Sequence, residues 1–220
     1  MTRTWAPVAA VAAVAVVLAY WLGSVTAPPV TRISDDRLGP EASQSIEVYL
    51  RKAAETLAAA PSGEGRWALI SPATAWSTEE VWRRYGAAAG MERIGRVLVR
   101  VPIPGVQTPT VPVPTGQSAA GIAAVNELAA YAVPSLVAPG ERGAAIARVS
   151  AARLRAGVPA VVGIVVYGTG DALRTAASGS GVRAVQVVPD GGGVFAVAPL
   201  LPSFTDRAEP GADDGSVPPA

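Results

Sequence analysis

Three short stretches place side chains or backbone groups at spacings that suit chemistry. Gly168-Thr169-Gly170-Asp171 follows an apolar run and opens an amphipathic one. A β-to-α turn of this kind aims backbone N–H groups outward, where a phosphate can sit. The Walker lysine and the spaced glycines of a dinucleotide fingerprint are both missing. The better reading is a tight turn, with Thr169 or Asp171 capping the following helix. Glu79 and Glu80 are adjacent carboxylates, but neighbouring helical residues point apart, which argues against a shared acid–base site. Ser77-Thr78-Glu79-Glu80 instead has the form of a capping box, with Ser77 bonding the N–H three residues on and Glu80 reaching back. Trp76, Trp82 and Tyr85 flank that helix start. Interfaces favour Trp and Tyr, so these three are the candidate partner-contact residues. The competing reading is that they supply bulk to an Ala-rich core.

Composition narrows the chemistry further. The 220 residues contain no histidine and no cysteine. That removes the commonest general base and metal ligand, together with Ser-His and Cys-His nucleophilic pairs and nearly all zinc and copper sites. No catalytic residue, metal or cofactor is therefore assigned, and a non-enzymatic role is expected. A net charge of +1 gives no electrostatic footprint for nucleic acid. Arg outnumbers Lys seventeen to one and Ala, Gly, Pro and Val dominate, the coding bias of a high-GC bacterium. Without disulfides, an exported domain of this kind must hold itself by packing.

The elements that would position these residues emerge from periodicity. Pro7 to Ala27 is uncharged over about twenty residues, the length of a bilayer-spanning helix, with Tyr20 and Trp21 near its outer end. The six-residue tail before it favours the N-terminus inside and the C-terminus outside. The alternative is a cleaved signal peptide ending at Val25-Thr26-Ala27, against which stand the length of the apolar run and Pro28 directly after it. Pro28 to Gly39 reads as a stalk. Pro40 to Ala60 reads as a helix with a seam of Ile46, Leu50, Ala53 and Leu57, packed on its own domain or pairing as a short coiled coil.

Two strand–helix–strand units come next. The first runs from Arg66 to Val101, with a strand at Trp67–Ile70 and another at Ile94–Val101. The second runs from Val158 to Val188, with a continuous apolar strand at Ala160–Tyr167 and a helix through Ala177. Between them, the five prolines of Pro102–Thr115 read as a stiff connector or a segment for an aromatic-lined groove. Helices follow at Ala119–Val133, with Ile122, Val125, Leu128 and Ala129 inward, and at Pro139–Ala156, with Ile146, Val149 and Ala152 inward. Arg142, Arg148, Arg153 and Arg155 read as a solvated face. Val194–Val197 adds a short edge.

Two such units predict an α+β fold: a transmembrane helix followed by a ferredoxin-like split βαβ sandwich with a helical insert and helices on one face. The expected divisions are residues 1–27 as tail and anchor, 28–65 as stalk and juxtamembrane helix, 66–202 as the ferredoxin-like domain with its insert at 102–157, and 203–220 as a disordered acidic tail.

The anchor, Leu69-Ile70-Ser71, the run Val99-Arg100-Val101-Pro102-Ile103-Pro104-Gly105-Val106-Gln107-Thr108, and the unit from Leu154-Arg155-Ala156-Gly157 to Val188 together resemble actinobacterial single-pass membrane-anchored proteins with a ferredoxin-like extracytoplasmic domain. The resemblance implies location and architecture, and brings no activity or site residues with it. The function expected is that of a plasma-membrane, single-pass interaction or scaffold protein of the cell envelope, with its C-terminal domain outside. Its partners would be the membrane, through residues 7–27, and an envelope protein or a second copy. The alternative is a domain that binds a small molecule or lipid in a cavity left by the Ala/Val-rich insert.

Overall fold

The computed structural model describes residues 33–116, 118–189 and 194–220. The expected anchor at 7–27 lies outside them, and no helix among the described residues is long and apolar enough to cross a membrane. In chain order the elements are β1 (Ile33–Leu38), α1 (Ile46–Ala59), β2 (Gly65–Pro72), α2 (Thr78–Tyr85), β3 (Met91–Val99), β4 (Val111–Pro114), α3 (Ala119–Ala123), α4 (Val125–Ala132), a 3-10 turn (Val133–Ser135), α5 (Glu141–Arg155), β5 (Val161–Thr169), α6 (Gly170–Ala177), β6 (Val182–Val187) and β7 (Val194–Val197).

The protein is mixed α+β. Its main sheet has the order β4-β3-β5-β2-β6, and all neighbours are antiparallel. The two most continuously apolar runs, in β2 and β5, occupy interior positions, where both faces of a strand are covered. Ile70 pairs with Ile164 on one side and Val185 on the other. Directly paired residues share a face, and these three pack with Val81 and Tyr85 of α2, Leu173 of α6, and Ile122, Val125 and Leu154 of the insert. Burying one such aliphatic side chain is worth about 1.5 to 3 kcal/mol.

The second face is not left to solvent. Leu69, Leu98 and Val165 lie beneath Leu38 and Leu201, with Trp67, Phe195 and Phe204 packed alongside. The cover is a parallel ribbon of β1 and β7, which pairs Ile33 with Val194 and, after a shift of register, Arg37 with Ala196 and Leu38 with Val197. This corrects two expectations. The stalk expected at 28–39 includes a strand, and Val194–Val197 pairs with that strand rather than extending the main sheet. Gln186 ties the ribbon down. Its side chain is 3% exposed, accepts from the Gly39 N–H at 2.6 Å and donates to the Arg37 carbonyl at 3.0 Å.

Both outer edges of the sheet are closed. At β6, helix α1 packs with Ile46, Tyr49 and Ala53 inward, and its Thr56 hydroxyl accepts the Val187 N–H at 3.1 Å. The helix begins at Ile46 rather than Pro40, and it lies on its own domain. At the other edge, β4 corrects the reading of 102–115 as a connector alone. The Thr115 N–H donates to the Gly95 carbonyl, so by the two-residue period Val111 and Val113 also point their N–H groups at β3. Pro112 and Pro114 then face outward and remove the donors from the free edge, a form of protection against strand addition.

The insert helices also differ from expectation. The expected helix from Ala119 is divided at Ala124, but Ile122, Val125, Ala129 and Val133 keep a spacing of three and four residues across the division and are all buried. Ala130 is buried as well, while Leu128 is 50% exposed. On α5, Ile146 and Val149 are buried but Ala152 is exposed.

The acidic tail is ordered by long-range bonds, contrary to its composition. The Ala208 N–H donates to the Gln44 carbonyl, and the Ser43 N–H returns to Ala208. Asp213 accepts from the Gln107 N–H and from Arg142, both at 2.8 Å. Gly105, at φ +65, and Gly215 meet backbone to backbone, with the Gly215 N–H donating to the Gly105 carbonyl at 2.7 Å. A Cβ on Gly215 would lie 2.7 Å from the carbonyl oxygens of both Gly105 and Pro104, so only glycine fits there.

Candidate functional site

The Gly168–Asp171 turn has no free donors to offer an anion. The Thr169 N–H donates to Gly90, the Gly170 N–H to Pro61 and the Asp171 N–H to Ser62, all through backbone carbonyls. The Ala172 N–H is accepted by the Thr169 hydroxyl, which makes Thr169 the cap. Asp171 instead pairs with Arg174 at 2.8 Å, and that guanidinium holds its carboxyl below the usual range.

The carboxylates of α2 are structural as well. Ser77 accepts the Glu80 N–H at 3.2 Å, the first half of the capping box. The second half is absent, because Glu80 turns to Arg84, which donates to it from Nε and Nη2. Glu79 stands apart on the surface. Its own backbone N–H and the Ser77 hydroxyl hold its carboxyl below the usual range.

The three aromatic residues singled out at this helix do not form a surface together. Trp76 is 3% exposed and Tyr85 6%, with ring centroids 6.1 Å apart in the main core. The Trp76 backbone bridges to Val161 in both directions, and the Arg84 guanidinium lies 4.7 Å from the Trp76 ring centroid. Burial pushes the Tyr85 phenol up to about 12. Only Trp82 is partly exposed. Trp76 and Tyr85 therefore serve as bulk in an Ala-rich core, not as a partner anchor.

Exposed apolar side chains gather on the insert instead. Leu128 and Tyr131 of α4 and Leu136 just beyond it are 50%, 84% and 48% exposed. Leu128 and Tyr131, three residues apart, share one side of α4, and Leu136 follows at the end of the 3-10 turn that continues it. Glu127, on the same helix, pairs with Arg155 at 3.2 Å and adds polar groups beside them. The periodic reading of the sequence assigns Leu128 inward and so passes over this stripe.

A groove of about 890 Å³ opens between the loop Arg100–Thr108 and the segment Leu201–Ala212. Its floor is apolar, with Ile103, Val106, Leu201 and Phe204 among its lining residues. Arg100, at the end of β3, is partly buried in its wall and donates to the Gln107 side-chain carbonyl. Gln107 in turn donates to the Gly211 carbonyl at 2.7 Å. A chain of hydrogen bonds thus spans from β3 to the C-terminal segment. Residues 102–108, the first part of the insert, line one side of the groove, while the insert helices do not line it. Among the described residues no cluster of three His, Cys, Asp or Glu side chains is placed to hold a metal ion. No protein-family model, curated protein or solved structure matches the chain.

Proposed function

We propose that this is a non-enzymatic, membrane-anchored interaction protein of the bacterial cell envelope. Residues 7–27 hold it in the bilayer, and a ferredoxin-like split βαβ domain with a helical insert works outside by contact. The strand order β3-β5-β2-β6, built from two strand–helix–strand units, supports that fold reading. The strand β4 is then an addition made by the insert. Fold alone selects no function.

The stripe of Leu128, Tyr131 and Leu136 carries the contact reading. An apolar centre with charged groups beside it has the anatomy of a protein interface. The occupant we assign is a second protein that presents an apolar ridge. An anionic lipid surface gains no free cation at the stripe, because Arg155 beside it is paired with Glu127. The blunted sheet edges argue against pairing by strand addition.

A photo-crosslinking residue at exposed Ser135 of the full-length chain, in intact cells, tests this. One discrete adduct with a different protein is expected, and Leu128→Asp with Tyr131→Asp should abolish it while thermal unfolding stays unchanged. An adduct that survives the double substitution, or one that proves to be a dimer of this chain or a lipid, overturns the reading.

A further inference from the structure

Arg100 has an unusual position for a cation in this chain. Its side chain is partly buried, yet among the described residues no carboxylate lies within ion-pair distance of it. One hydrogen bond, to Gln107, is the only one its guanidinium makes there. A guanidinium carries five N–H donors in a planar fork, so most of its capacity remains unused. Burial pushes its pKa down from the usual value, a sign of desolvation without a compensating charge. A cation withdrawn from water without a partner is costly, and this one lines the groove between the 100–108 loop and the C-terminal segment.

We propose that the groove is a binding site for a small monocarboxylate with an apolar body, its carboxylate taken by Arg100. The volume of about 890 Å³ falls in the range of small-ligand sites, roughly 300 to 1,000 Å³. Ile103, Val106, Leu201 and Phe204 offer the apolar body its contacts. A planar carboxylate matches the guanidinium fork. The groove also carries Asp206 and Glu209 against one further cation, Arg207, so its remaining charge does not favour a dianion such as a phosphate monoester. The Gln107 side chain fixes the fork from one side and holds the Gly211 wall from the other. This site goes beyond the contact reading of the insert stripe and does not depend on it.

The test uses the full-length chain in lipid nanodiscs, titrated with 4-phenylbutyrate and with its neutral amide, 4-phenylbutanamide. Binding is followed by ligand-observed NMR against empty nanodiscs. The acid is expected to bind at least about tenfold tighter than the amide, the scale of one charge-assisted contact. Arg100→Met should erase that preference and leave the amide unchanged. Equal binding of acid and amide to the native chain overturns the proposal, as does no binding of the acid above the empty-disc baseline or a preference that survives Arg100→Met. Should Arg100→Met fail to fold, the acid–amide comparison on the native chain decides alone.

Discussion

Gln186→Leu is expected to lower the unfolding free energy by roughly 2 to 4 kcal/mol, because it orphans one buried donor and one acceptor at once. The donor is the Gly39 N–H, at 2.6 Å from the Gln186 carbonyl, and the acceptor is the Arg37 carbonyl. Leucine fills a similar volume, so little of the loss comes from packing. Gln186→Glu keeps the acceptor for Gly39 but loses the donor to Arg37 and buries a carboxylate against that carbonyl, so it should cost at least as much as Gln186→Leu. Urea unfolding monitored by tryptophan fluorescence measures both, and Trp67 lies under the ribbon to report on it. A change in Gln186→Leu of less than about 0.5 kcal/mol would mean that the ribbon is held by its apolar contacts alone.

Gly170→Val should cost at least about 3 kcal/mol, in the range of overpacking with loss of backbone bonds. A Cβ there would lie 2.4 Å from the Pro61 carbonyl oxygen and 2.8 Å from that of Ala60. The 60–62 loop must then leave the start of α6. It would surrender the bonds from the Gly170 and Asp171 N–H groups and those from Arg174 to Ala60 and Ser62. Asp171→Ala is the control. Its exposed pair with Arg174 is worth less than about 1 kcal/mol. Equal stabilities for the two variants in thermal denaturation would show that the loop does not pack on this turn.

What the sequence reveals here depends on how local the cause is. The strand at Ala160–Tyr167, the caps at Ser77 and Thr169 and the end of α6 at Ala177 depend on neighbours a few residues away, and periodicity finds them. The strand β4 resembles a connector because its prolines remove N–H donors. Their alternation leaves Val111 and Val113 free to bond β3, and only the partner strand reveals that. The ribbon joins residues about 160 positions apart, and the tail is ordered by Asp213, Gly215 and Ala208 on distant loops. Composition has no means of registering such pairs. Trp76 and Tyr85 show the limit of residue type: a large aromatic suits an interface and an Ala-rich core equally, and burial decides. The exposure of Leu128 escapes periodicity because it lies at the flank of the buried face of Val125, Ala129 and Val133, where spacing does not separate inward from outward, and Arg100 resembles every other arginine until the C-terminal segment folds beside it.

The proposed function requires the domain to be bound to the membrane and to face away from the cytoplasm. The chain contains no cysteine, so a single Ala89→Cys substitution, at an exposed residue beyond α2, gives a unique reporter in the full-length protein. Intact cells treated with a membrane-impermeant maleimide should show the domain labelled, with the labelled chain sedimenting in the membrane fraction. Protection until the cells are lysed, or recovery of the full-length chain in the soluble fraction, contradicts the account.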